Sequence, residues 1–335
     1  MRILQYALIR AGLALLTLLT VSIVIFALME LVPGDCAERY LAFKVTQGQD
    51  ISVSEIAYER ARLGLDRPML TRWSGWIVNA FRGEFGDSCI LRVSISQLLG
   101  DKFMLSLGMS LAALILAYGL ALPIGIYSAS AGNPYLDNGL RLVSYLWLAL
   151  PNFLLALLIM LIGTFFFGNT LTGLFSAEFR DAPWSMAKFI DLLGHIWLPV
   201  IILGWSATAF ALQTVRALMS DELGKLYVTA AAARGVSGRR LLWRYPARHA
   251  LGPIINSVGY DLNRIFSELP IIALILTLTE AGGLLIEALA RSNDQQLAGA
   301  IIFLLTASIV TINFVTDMIM VFLDPRFGRS ILEAK

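Results

Sequence analysis

The chain has 335 residues, of which 57% are hydrophobic and only 15% charged, with a mean hydropathy of +0.72. That balance excludes an ordinary soluble domain, and several apolar runs exceed the ~18 residues that span a bilayer core. The formal net charge of +2 says nothing of nucleic acid, so the useful quantity is where the charges fall.

The first apolar run extends from about Leu13 to Leu31, preceded by Arg2 and Arg10. It is longer than the ~7–15-residue core of a signal peptide and no small-x-small cleavage site follows, so it reads as a retained first transmembrane helix. Residues 33–102 then carry nine acids and nine bases. Pro33 and Gly34 stop the helix, and Asp35 can bond neighbouring backbone. Two or three short helices are expected around Ser54–Leu63, Pro68–Phe81 and Val93–Leu99. Trp73 and Trp76 suit either an interfacial helix or an ordinary packed one.

Five more spans follow, at Phe103–Ser128, Leu142–Phe167, His195–Met219, Pro253–Leu278 and Leu297–Leu323. Pro151 and Pro270 are expected to kink the helices that hold them. The pattern predicts an all-α integral membrane protein in three parts: a first helix at 1–32, an external helical segment at 33–102, and a five-helix core at 103–335. The loop at 219–252 carries six Lys or Arg against two acids, and the link at 280–296 carries one base against three acids. Arg2, Arg10, Arg326 and Arg329 agree with the basic loop, so both termini and that loop are placed in the cytoplasm.

Cys36 and Cys89 both fall in the external segment, either as a disulfide or as two small core residues. His195 and His249 lie on opposite predicted faces, so no metal site is expected. Phosphate-cradling, zinc-protease and nucleophile-elbow motifs are missing, which leaves no enzyme chemistry and requires work against a gradient to be driven from outside the chain.

Asp261, Arg264 and Glu268 recur three and four apart in the fifth span, on one helix face. Charge at membrane depth is costly and usually faces a bundle interior or an aqueous path. This face either lines a translocation pathway or holds helices together; Asp317 and Glu30 have a similar, weaker claim.

The segment YVTAAAARGVSGRRLLWRYPARHALGPII resembles the signature of permease subunits of binding-protein-dependent ABC importers. PGD at Pro33–Asp35, LGLDRP at Leu63–Pro68, GEFGDS at Gly83–Ser88 and LDPR at Leu323–Arg326 are similar to the dipeptide, oligopeptide and nickel branch. Asn313 and Asp317 fit that pattern too, and SAEFRDAPW with HIWLPV looks like the Yej-type peptide permeases. The chain departs from the pattern at Gly108, at Pro246, and at EAGG (Glu280–Gly283).

The resemblance implies six helices of the type I importer permease fold in the bacterial inner membrane, with 33–102 in the periplasm. It implies that Leu223, Tyr227, Val228, Ala230, Ala231, Arg234, Gly235 and Val236 form a coupling helix. The implied partners are a second, homologous permease subunit, one or two ATPase subunits that bind the ATP and Mg, and a periplasmic binding protein; the chain itself would hold no cofactor. The implied cargo is a peptide or peptide-like compound. The alternatives are a nickel or metal-chelate importer of the same branch, and an ion-gradient-driven secondary transporter.

Overall fold

A computed structural model describes residues 2–49, 52–168 and 172–323. Among these residues the chain is helical, with no strand and a single isolated bridge, Asp87 to Ser94. The motif LDPR and the basic residues Arg326 and Arg329 lie largely or wholly outside the described residues.

Among the described residues thirteen α-helices follow in order, beginning with α1 (Arg2–Leu31), α2 (Cys36–Thr46), α3 (Val53–Leu63), α4 (Met69–Ala80) and α5 (Ile95–Ser130). The middle of the chain forms α6 (Pro134–Ala149), α7 (Asn152–Phe167), α8 (Met186–Leu223), α9 (Leu226–Ala233) and α10 (Gly238–Arg244). The last three are α11 (Pro246–Ile275), α12 (Ala281–Ile286), which runs into a π-helical turn at Glu287–Arg291, and α13 (Gln295–Leu323).

By length and composition α1, α5, α8 and α13 can cross a membrane. The third predicted span is broken instead of merely kinked. α6 and α7 meet at 88° across Leu150 and Pro151, and count as a fifth crossing if the pair is one. α11 is 30 residues long but less apolar than those helices, because Arg248, Asp261, Arg264 and Glu268 interrupt it. It begins at Pro246 instead of Pro253. Proline suits the first helical position, where its missing N–H is no loss. The helix continues through Pro253 and Pro270.

The chain divides into two compact units. One comprises Met1–Arg10, Leu107–Leu278 and Thr311–Lys335, and the other Ala11–Ser106 and Thr279–Val310. In the first unit α8 and α11 form the central pair, with α6 and α7 against them. Trp205 stacks on Trp147 at 4.3 Å and donates its indole N–H to the Trp147 carbonyl at 3.1 Å, fastening α8 to α6. Arg216 binds both oxygens of Asp137 at 2.5 Å each. Small residues bring helices close: a Cβ on Gly204 would stand 3.1 Å from the Ala113 carbonyl oxygen.

In the second unit an additional helix, α2, precedes the expected ones. Asp35 caps it by accepting the Glu38 N–H at 2.9 Å. A disulfide joins Cys36 at the start of α2 to Cys89, with Cα atoms 5.2 Å apart and Leu63 and Leu65 packed against it. α4 is a packed helix and not one lying free along headgroups. Trp76 sits between Phe26 and Phe303, with centroids at 6.3 and 5.3 Å, and Trp73 donates to Ser22 at 3.1 Å. The expected short helix near Val93–Leu99 becomes the first turns of α5, set off by non-helical backbone at Gly100.

Candidate functional site

The basic loop folds as α9, a glycine turn and α10. The alanine run gives α9 its helix, and Gly235 ends it at φ +83°, a left-handed conformation that a Cβ would strain. The Gly235 N–H donates to the Ala232 carbonyl at 2.9 Å and the Val236 N–H to the Ala231 carbonyl at 3.2 Å. That paired arrangement is a Schellman cap, which satisfies the last carbonyls and turns the chain sharply.

Val228 and Ala231 are buried and fix the inner face of α9. Tyr227 is half-buried, donates its hydroxyl to the Glu222 carboxylate, and packs its ring 4.9 Å from His249 at the start of α11. Burial and that carboxylate push the phenol above its ordinary pKa. Leu223 and Val236 are half-buried at either end, while Ala230, Arg234 and Gly235 are exposed.

The opposite face exposes Leu226, Ala230 and Ala233, with Leu226 86% exposed. Spaced four and three apart, they form one apolar strip along the helix. Leu226 and Ala233 were not singled out by sequence, although their helical spacing from Ala230 would have found them. Arg239, Arg240 and Arg244 are also exposed, on α10.

The charged face of α11 divides between two settings. Asp261 is fully buried, and its carboxylate accepts the Tyr118 hydroxyl at 2.6 Å; Tyr118 also shares a 2.8 Å hydrogen bond with Ser257. Arg264 and Glu268 are partly exposed, 3.9 Å apart, and line a cavity of about 120 Å³ at the break between α6 and α7. The Glu268 carboxylate accepts from the Asn152 amide, which is itself bonded to Ser206. Asn152, Ser206 and Tyr118 were missed; their only sequence signal is polarity within apolar runs. Asp317 pairs with Arg10 at 3.2 Å, and Glu30 with Arg72 at 2.6 Å. Among the described residues no group of three His, Cys, Asp or Glu is placed to hold a metal.

A helical chain with several helices apolar enough to cross a membrane, buried charge on α11 and an exposed helical hairpin on a basic loop fits a membrane transport component. The family described as binding-protein-dependent transport system inner membrane component matches residues 121–329, and its N-terminal companion matches residues 3–93. The chain belongs to that family of inner membrane transport components.

Among its relatives, a Brucella suis biovar 1 protein named as a peptide permease is 29% identical over 96% of this chain and 98% of its own length. The dipeptide transport system permease of Escherichia coli K12 is 25% identical over 96% and 98%. The peptidoglycan transport system permease of Agrobacterium fabrum, a Yej-type protein, is 29% identical over 79% and 73%.

Proposed function

We propose that this chain is one half of a heteromeric pore in an ATP-driven importer of peptides or peptide-like compounds. The hairpin carries the reading. A short helix held rigid by a Schellman cap, with Leu226, Ala230 and Ala233 in one exposed strip, can transmit force where a flexible loop cannot. In this reading the strip seats in a groove of a separate ATPase subunit, which binds the ATP and Mg. The chain itself catalyses nothing and holds no cofactor.

α11 is then the sixth crossing; its charges face the bundle and a cavity, and its length is ample for a bilayer core. Both termini and residues 219–252 are cytoplasmic, and residues 33–102 form a periplasmic helical segment facing a binding protein. A second, homologous permease subunit completes the pore. The relatives' names favour peptide over metal-chelate cargo.

A cysteine at Ala230 should cross-link to the ATPase subunit in inverted membrane vesicles and be labelled only from the cytoplasmic side. Labelling from the periplasmic side would sink the orientation. Failure of any nucleotide hydrolase to co-purify would sink the importer reading.

A further inference from the structure

Arg264 and Glu268 share one cavity but are held very differently. Glu268 is fixed through Asn152, a 97% buried residue whose amide nitrogen also donates to Ser206 Oγ at 3.1 Å and whose Oδ1 accepts the Ser206 N–H at 3.2 Å. The Arg264 side chain makes no hydrogen bond among the described residues. Its Nε lies 3.9 Å from Glu268, and its guanidinium stands 5.8 Å over the Phe210 ring. The result is a planar cation with unused donors, backed by an aromatic face and opening on a cavity walled by Leu148, Pro151, Ile271 and Ile272.

The guanidinium fork matches a carboxylate bidentately, and a partly dry, apolar-walled site strengthens that pairing. At about 120 Å³ the cavity is well below the roughly 300–1,000 Å³ of a pocket for a whole small molecule, so it takes a chain end. The fixed carboxylate of Glu268 close by disfavours a dianion and leaves a singly charged group as the better fit.

We propose that Arg264 grips the C-terminal carboxylate of a peptide passing through the pore. The inference rests on the peptide-importer reading and adds to it a preference for free chain ends, exercised inside the membrane.

The test uses the complete transporter with its binding protein in proteoliposomes, comparing uptake of trialanine and trialanine amide. Any preference of the binding protein is common to wild type and variant, and cancels when their acid-to-amide ratios are compared. Arg264→Gln is expected to lower that ratio about tenfold or more, through loss of acid uptake with amide uptake retained. Arg264→Lys, which keeps the charge and loses the fork, should fall between them.

A ratio unchanged in both variants overturns the proposal, including when both uptakes drop together. If Arg264→Gln fails to assemble, Arg264→Lys decides: a lowered ratio supports the proposal and an unchanged one overturns it. A wild-type complex that hydrolyses ATP yet imports neither peptide overturns the peptide reading and this inference with it.

Discussion

Val215 on α8 holds its Cγ1 2.8 Å from the point where a Cβ on Gly125 of α5 would stand. The Leu212 carbonyl oxygen lies 3.2 Å from the same point, so neither side chain nor backbone leaves room there. Val215 is fully buried, and its branched side chain has few rotamers to retreat to. Gly125→Ala is therefore expected to destabilise the protein by about 1–3 kcal/mol. Val215→Ala in the same chain should recover part of that loss, because the two residues share one space. Thermal unfolding in detergent would check this; strictly additive losses would rule the contact out as the cause.

Gly235 offers a test of the hairpin with little effect on the rest of the fold. Its left-handed φ of +83° lets the N–H groups of Gly235 and Val236 close on Ala232 and Ala231. A valine there meets a penalty of roughly 1–2 kcal/mol in the left-handed region, enough to open the turn and release α9 from its angle. Gly235→Val should leave the assembled complex able to hydrolyse ATP while uptake per ATP falls several-fold. An unchanged ratio of uptake to hydrolysis would show that the angle of α9 does not transmit the stroke.

The Cys36–Cys89 disulfide closes a separation of 53 residues in the second unit. In the chain-entropy description, a loop of that size limits the unfolded state by up to about 4 kcal/mol. Reduction, or Cys36→Ser with Cys89→Ser, should lower the melting temperature and first expose the segment holding α2 and α3 to protease. Intact mass with and without reductant reports the bond directly, and equal melting temperatures would show that it adds no stability.

The parts of this fold that could be read in advance follow from local physics. α1 and α13 announce themselves as long apolar runs, and the three- and four-residue spacing of Asp261, Arg264 and Glu268 correctly set them on one face of α11. What they touch could not be read, since Tyr118 and Asn152 arrive from helices 143 and 116 residues away. Pro151 marked where a span would bend, since a proline fixes its own φ and drives the preceding residue, here Leu150 at ψ 110°, out of the helical region, but the 88° angle belongs to the packing of α6 and α7. α2 escaped notice because CAERYLAFKVT mixes polar and apolar residues without a strong apolar run. The turn at Gly235 was legible because glycine after an alanine helix has one well-defined structural use.

Glu280, just before α12, is 2% exposed, and its Oε2 has no hydrogen-bond partner among the described residues. Burial raises its pKa from an ordinary 4.5 to about 7, opposed only in part by its own backbone N–H and the charge of Lys102. The folded protein therefore holds a proton on this group through a range where the unfolded chain has released it. Stability should fall as pH rises from about 4.5 to 7 and level off above, with a total near 3 kcal/mol from this one residue. Glu280→Gln keeps the shape, removes the titration and cannot acquire the buried charge. Its melting temperature should match wild type near pH 5 and exceed it at pH 8, when both are measured in the same detergent. Parallel curves across that range would mean the carboxyl ionises at no cost, which requires water or a cation to reach Oε2 in solution.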